Sequence, residues 1–330
     1  MFQFDFRVRP PWDPTTKLNF SDDFNEMYAL LNDGPTAPSV LQRDMDLFWQ
    51  ELDEAGTDMF LYCGRRFTPD MVRGFSNGAY SGQEFNTLSN NLAVKDFITK
   101  YPDKAVGGWA IDPIDGTKAL DEIEENVLKG PFQCITLEPG QGSAYKPMPI
   151  DDARVCLIYE YCEAHNIPVA LTFGELNCRA LRFFRPEALD NICELVPKLK
   201  LSAIHGGWPF TMELQYIAFN HENFYAALTS LVNYTWSGCE ELFRGANWAL
   251  QDKFIFGSAY PYWDMRAAVK RYKEGLRPEV LPKIMGVNAL RALNLEHLIP
   301  QDAPKPLPNF FNIHPKFEEK NRLYENHLMP

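Results

Sequence analysis

Apolar positions along this chain fall into two alternating rhythms. Short continuous apolar runs, such as Met59-Phe60-Leu61-Tyr62-Cys63 and Phe254-Ile255-Phe256, have the length and β-branched or aromatic content of strands buried on both faces. Between them lie longer segments whose apolar residues return every three or four positions, the spacing of a helix with one buried stripe. The strand-like runs fall at Phe4, Phe60, Val106, Ile135, Val169, Ser202, Tyr225 and Ile255, and each is followed by a helical segment. The spacing predicts a helix from Ser39 through Leu41, Met45, Phe48 and Leu52 to Ala55, with Gly56 as its C-terminal cap. A second starts near Ser81 and carries Phe85, Leu88, Leu92 and Phe97. Others cover 117–128 (with Leu120, Ile123 and Val127 inward), 152–165, 186–199, 211–220, 239–250, 265–273 and 280–293.

Short apolar strands alternating with amphipathic helices imply a parallel sheet. Eight such units in 330 residues fit a (β/α)8 barrel, the TIM-barrel architecture of the α/β class, better than an open doubly wound sheet. An open sheet would carry a glycine-rich phosphate turn after a strand, and neither G-x-G-x-x-G nor a P-loop is present. After the first strand, Ser21-Asp22-Asp23 reads as a helix start, with Phe24, Met27 and Leu31 behind it, so a short helical insert is expected there. Residues 1–300 then form one barrel domain. Residues 301–330, with five prolines and Phe310, Phe311 and Phe317, are too apolar for a free tail. They are expected to form an arm packed on the barrel or on a neighbouring subunit.

Composition narrows the functional classes. Hydrophobic residues make up 45% and charged residues 23%, ordinary for a soluble globular chain. A formal net charge of -12 argues against nonspecific binding to nucleic acid or to an anionic membrane. Asp5 and Arg7 interrupt any apolar leader, and no apolar run is long enough to span a bilayer. The seven cysteines are scattered, without a C-x-x-C pair, which suits reduced thiols in a cytoplasmic protein.

Barrels of this type build their sites at the C-terminal ends of the strands. The residues falling there are Arg7 and Arg9, Arg65 and Arg66, Asp112, Glu138 with Lys146 beyond it, Thr172 with Glu175, His205, Thr229, and Ser258 to Tyr260. The mouth is therefore cationic in an acidic chain. Arg7 and Arg9, two residues apart on one strand, project from the same face. They either grip an anion bidentately or pair with Glu138, Glu175 or Asp112. Asp112-Pro113 reads as a turn.

Several short motifs, in order, resemble the amidohydrolase superfamily, in particular the group containing aminocarboxymuconate semialdehyde decarboxylase and resorcylate-type decarboxylases. They are the Asp-x-x-x-x-Pro opening at 5–10, Gly108-Trp109-Ala110-Ile111-Asp112-Pro113, Ile167 to Gly174, His205-Gly206-Gly207, Phe256-Gly257-Ser258-Ala259-Tyr260-Pro261 and Asn288-Ala289. The resemblance implies a barrel whose divalent metal is held by His-x-His after strand 1, a His after strand 5 and an Asp after strand 8. Here Arg7, Arg9, Thr172 and Ala259 stand in those places, and only His205 keeps a ligand identity. Guanidinium groups are protonated and cannot ligate. No metal and no other cofactor is therefore expected.

Two functional readings stay open. In the first, the chain is a metal-independent hydrolase or decarboxylase-like lyase for a small carboxylated, aromatic or non-aromatic, anion. Arg7 and Arg9 would hold the carboxylate, with Arg65, Lys146, Thr172 and Tyr260 lining the pocket. His205 would move a proton, and Glu138 would act as base or arginine partner. In the second, it is a catalytically silent subunit supporting an active, metal-binding paralogue. A homo- or hetero-oligomer is expected in either case.

Overall fold

The computed structural model describes residues 1–12, 37–65, 89–140, 147–174, 180–229 and 237–308. Eight strands run parallel in sequence order: β1 (Phe4–Val8), β2 (Met59–Cys63), β3 (Ala105–Ile111), β4 (Cys134–Leu137), β5 (Val169–Thr172), β6 (Leu201–Ile204), β7 (Phe224–Leu228) and β8 (Phe254–Phe256). The sheet curls until its ends nearly meet. Val8 forms a parallel bridge with Tyr260, and the Arg9 amide donates to the Tyr260 carbonyl at 3.0 Å. This is the (β/α)8 barrel that the alternating rhythms predict. Among the described residues, no helix is long and apolar enough to cross a membrane.

Two apolar layers hold the barrel together. Outward strand residues such as Tyr62, Ile135, Leu171 and Phe256 pack under the helices, while Phe4, Phe6, Leu61, Cys134, Ile204 and Ile255 fill the interior. Ala289, Leu290 and Leu293, in and just after the last short helix, close the N-terminal end of that interior. Asn288 fixes this plug by donating to the carbonyls of Gln251 and Phe254 at 2.8 and 2.7 Å. Each buried phenylalanine contributes about 1.5–3 kcal/mol by leaving water. Phe6→Ala would cost about 3–5 kcal/mol, because the closed ring of strands cannot collapse on the cavity.

The strand between the two layers is not regular. β1 pairs with β2 in one register at Asp5 and in a shifted one at Val8. An extra residue there lets Phe6 and Arg7 both face inward, although they are adjacent. The shift is what turns Arg7 and Arg9 into the barrel while Val8 packs outward.

The first helical segment differs from expectation. Instead of one helix from Ser39 to Ala55 there are two, α1 (Pro38–Gln42) and α2 (Met45–Ala55). Arg43 adopts a left-handed conformation at φ 55°, and Asp44 then caps the second helix through the amides of Asp46 and Leu47 at 2.7 and 3.1 Å. The local capping bond outweighs helix continuation across a polar Arg-Asp pair. Leu41 is consequently exposed, whereas Phe48, Leu52 and Ala55 are buried and Gly56 caps the end at φ 74°. The next helix, α3, is described from Ser89 to Lys100. Leu92, expected inward, is half exposed, because Asn91 takes the inner face and bonds both backbone polar groups of Ala110 at 2.9 Å.

The helical insert expected around residue 21 and most of the C-terminal arm lie outside the described residues. The arm is described to Pro308, where the Leu307 amide donates to Asp252 at 2.8 Å.

Candidate functional site

The strand ends, with the register shift in β1 and the left-handed turn at His205, bring Arg7, Arg9, Arg65, Glu138, Thr172, His205 and Thr229 to one level inside the mouth. All but Glu138 are almost fully buried, and the Glu138 side chain is only 11% exposed. Glu138 is the hub. Its Oε1 accepts from Arg7 Nη2 at 3.1 Å and from the Thr172 hydroxyl at 3.2 Å, and lies 3.6 Å from Arg9 Nη2. Its Oε2 is 2.9 Å from Arg65 Nε. One carboxylate thus stands among three guanidiniums contributed by β1 and by the end of β2.

Other groups fix the orientation of these side chains. Arg9 Nε donates to the Cys63 carbonyl at 3.1 Å, while its Nη2 has no hydrogen-bond partner among the described residues. The Arg65 amide is held by the side chain of Asn90, at the start of α3. The Thr136 hydroxyl donates to the Gly64 carbonyl at 2.9 Å, so β2 is tied to β4 directly below the hub. A side chain on Gly64 would meet Asn91 and the Gly108 carbonyl at 2.6 Å, which is why glycine precedes Arg65.

Charge sets the protonation states. Burial alone would raise the Glu138 pKa, but Arg65, Arg7 and Arg9 override it and bring it down to about 2. Burial, then the same three arginines, push His205 well below the usual imidazole range, so it is neutral at pH 7. Its Nδ1 shares a proton with the Thr229 hydroxyl at 2.7 Å. His205 also sits at φ 80°, a left-handed conformation that costs a non-glycine residue about 1–3 kcal/mol. Such strain collects at sites where side-chain direction matters more than local stability.

A second carboxylate lies just below. Asp5 Oδ1 accepts from the amides of Arg7 and Ser258 at 3.1 and 2.9 Å, joining β1 to the end of β8. Burial raises its pKa to about 6, against the opposing hydrogen bonds of Ser258 and Arg7.

The sequence-derived candidates therefore divide. Arg7, Arg9, Arg65, Glu138, Thr172 and His205 are brought together. Tyr260 is not. Its ring packs on Phe48 with centroids 5.4 Å apart, and its hydroxyl meets Ser39 Oγ at 2.7 Å, outside the barrel. Only its carbonyl serves the mouth, through Arg9. The bulge in β1 keeps Val8 outward, so its bridge partner Tyr260 points to the helices as well. Lys146, Arg66 and Glu175 lie outside the described residues. Asp112 caps the turn after β3 through the Ile114 amide at 3.1 Å, as its sequence context suggests. Thr229, Asn90 and the carbonyl of Cys63 are partners to which sequence reasoning gave no role. Only Thr229, at a strand end, carried any signal.

The donor set does not suit a divalent cation. An ion at this level would face three fixed guanidiniums and would find one imidazole and one carboxylate already shared among cations. Among the described residues, no group of three or more His, Cys, Asp or Glu side chains is placed to hold a metal.

Fold and mouth together define a (β/α)8-barrel protein whose polar groups converge at the C-terminal ends of its strands. The family model described as amidohydrolase matches residues 10–295, and the chain belongs to that family. An uncharacterised TIM-barrel protein from Bordetella bronchiseptica is 25% identical, with a TM-score of 0.76 over 90% of this chain and 100% of that one. The 5-carboxyvanillate decarboxylase of Sphingomonas paucimobilis shares the fold at 18% identity and a TM-score of 0.57, covering 89% and 99% of the two chains. A dihydroxybenzoic acid decarboxylase from Polaromonas, solved with manganese and 2-nitroresorcinol, does so at 14% and 0.58, covering 89% and 97%. No curated protein matches the chain.

Proposed function

We propose that this barrel is a metal-independent hydrolase or carbon–carbon lyase acting on a small carboxylated substrate. The observation that carries the reading is a dry cluster of three guanidiniums around one carboxylate, at the barrel end where substrates bind. Arg7 and Arg9 hold the substrate carboxylate. Arg65, on the other side of Glu138, offsets negative charge as it develops. His205 takes part as the neutral imidazole, receiving or relaying a proton through Thr229. Glu138, ionised at all physiological pH values, orients the guanidiniums, and with so low a pKa it is a weak base. The structural likeness to decarboxylases of ring carboxylic acids makes aromatic acids the first substrates to try.

The test is turnover of a panel of ring carboxylic acids, followed as carbon dioxide release or ester hydrolysis, by protein whose metal content is measured. Arg9→Ala should lower kcat/KM at least about 100-fold, the loss of a charge-assisted contact to the reacting anion. An unchanged rate removes the clamp, and stoichiometric zinc or manganese in the active barrel removes metal independence.

The silent-subunit reading has one observation in its favour. Glu138 contacts all three arginines, so the mouth can be seen as a filled structural plug. That reading expects no turnover on any panel member and co-purification with a metal-binding amidohydrolase paralogue.

A further inference from the structure

We propose that the C-terminal segment, residues 309–330, docks on the outward face of the helix that follows β6 in the same chain. That helix spans Thr211–Asn220 and buries Leu214, Ile217 and Ala218 on its inner side. Its outer side carries Met212, Tyr216 and Phe219, which are 61%, 65% and 43% exposed. Steps of four and three place these side chains in one stripe. Glu213 is the one polar residue among the exposed positions of the helix. The helix after β8 (Met265–Gly275) is built the ordinary way, with Lys270, Lys273 and Glu274 exposed over buried Ala268, Val269 and Tyr272. A helix with apolar residues on both sides belongs in an interior, and a stripe of large exposed ones marks a contact surface.

The place where the described chain ends identifies the occupant. The Leu307 amide donates to Asp252 at 2.8 Å, and Lys283 holds that carboxylate from the other side at 2.9 Å. Lys253, next in sequence to Asp252, donates to the carbonyls of His221 and Glu222 at 2.8 and 2.5 Å. His221 is the C-terminal cap of the striped helix. The arm is therefore anchored beside the end of the stripe that Phe219 occupies. Pro304, Pro306 and Pro308 alternate through the anchor, which favours an extended chain there. At up to about 3.4 Å per residue, residues 309–330 can run several times the roughly 15 Å of a helix of this length. Their chemistry matches as well, since Phe310, Phe311, Ile313 and Phe317 come early in the segment. A second copy of the chain is the weaker occupant. A stable dimer buries about 800 Å² on each partner, well beyond what three part-exposed side chains on one helix offer.

The experiment places the photo-crosslinker p-benzoylphenylalanine at Tyr216 in the full-length chain. Unlabelled and isotope-labelled chains are mixed in equal parts and irradiated, and the crosslinked peptides are read by mass spectrometry. The expected result is crosslinks from position 216 to peptides within residues 309–330, with both peptides carrying the same label. Crosslinks to those peptides in mixed-label pairs would assign the face to the arm of a second copy and overturn docking within the chain. Mixed-label crosslinks to residues 211–220, or none to residues 309–330, overturn it too. Limited trypsin digestion of full-length protein gives an independent reading at Lys316, Lys320 and Arg322. Tyr216→Glu should speed cleavage there at least ten-fold, and Tyr216→Phe should leave it within two-fold. The residue is largely exposed, so neither variant should change the near-ultraviolet circular dichroism of the barrel. Cleavage unchanged in Tyr216→Glu overturns the docking.

Discussion

Two charged clusters in this barrel are mirror images in composition. In the mouth one carboxylate, Glu138, stands among three guanidiniums. Beside α2, between the barrel and its helices, one guanidinium, Arg266, stands among three carboxylates. Arg266 bonds Asp264 bidentately at 3.0 and 2.6 Å and Glu54 at 2.7 Å, and lies 4.0 Å from Glu51. The difference is water. The Arg266 side chain is 34% exposed and Glu54 is 43% exposed, so the acid excess is screened. Glu51, the one dry acid there, is satisfied locally by the amide of Ser39 at 3.0 Å and by its hydroxyl. The arginines of the mouth are 3–5% exposed, so solvent does little to screen them. Charge that water screens beside α2 is met in the mouth by the shared carboxylate of Glu138.

Removal of the hub of the mouth should have the largest effect. Glu138→Gln removes the carboxylate that the three buried guanidiniums share and should destabilise the fold by about 3–5 kcal/mol. Denaturant unfolding in a chloride-poor, non-coordinating buffer reads the loss, and added phosphate or a carboxylate should restore much of it by mass action. If stability is unchanged and no anion affects it, the mouth is hydrated in solution and the contrast with the rim disappears.

Titration separates the two buried carboxylates of β1 and β4. The folded-state pKa of Glu138 is depressed from 4.5 to about 2, so its contribution is present above pH 4.5 and fades as pH falls toward 2. At 1.4 kcal/mol per unit this is on the order of 3 kcal/mol. Asp5 has the opposite sign. Its pKa is raised from 3.8 to about 6, the folded chain binds the proton more tightly, and stability is lost as pH rises from about 4 through 6. Asp5→Asn keeps an oxygen for the amides of Arg7 and Ser258 and removes the buried charge. It should raise stability by about 2 kcal/mol at pH 8 and by almost nothing at pH 4. Equal effects at the two pH values would show that Asp5 titrates normally.

How much of this was legible in the sequence follows from how local each signal is. All eight strands are readable because a strand buried on both faces is a short apolar run whatever its neighbours do. Arg7 and Arg9 stand out for the same reason, as charges at the end of such a run. Their direction is less legible. Strict alternation from Phe4 and Phe6 would send both arginines outward with Asp5, and only the register shift in β1 brings them in. The hub was legible only as one of three possible partners, Glu138, Glu175 or Asp112, since Glu138 and Arg7 are 131 positions apart and only their shared place at strand ends connects them. Tyr260 was misplaced because its partner Ser39 is 221 positions away, across a helix break that Asp44 makes. Leu92 and Asn91 exchange their expected faces because Asn91 bonds a neighbouring strand, a contact that helical periodicity does not contain.

The smallest expected effect is at the rim. Arg266→Met removes the guanidinium that Asp264 and Glu54 share and leaves three carboxylates near one another. Solvent and salt reach two of them, and Asp264 still accepts from the amide of residue 266 at 2.8 Å. Exposed ion pairs contribute about 0–1 kcal/mol, so the loss should stay within that range and shrink further in 0.5 M salt. Glu51 keeps both bonds from Ser39, and Ser39 keeps its contact with Tyr260, so the closure of β8 against β1 should not loosen. Amide hydrogen exchange at Arg9, whose N–H is held by the Tyr260 carbonyl, reports that closure directly. A loss beyond about 2 kcal/mol, or faster exchange at Arg9, would mean that the rim is coupled to the mouth. The two clusters would then be one electrostatic unit, with the acid excess outside the barrel offsetting the cation excess inside it.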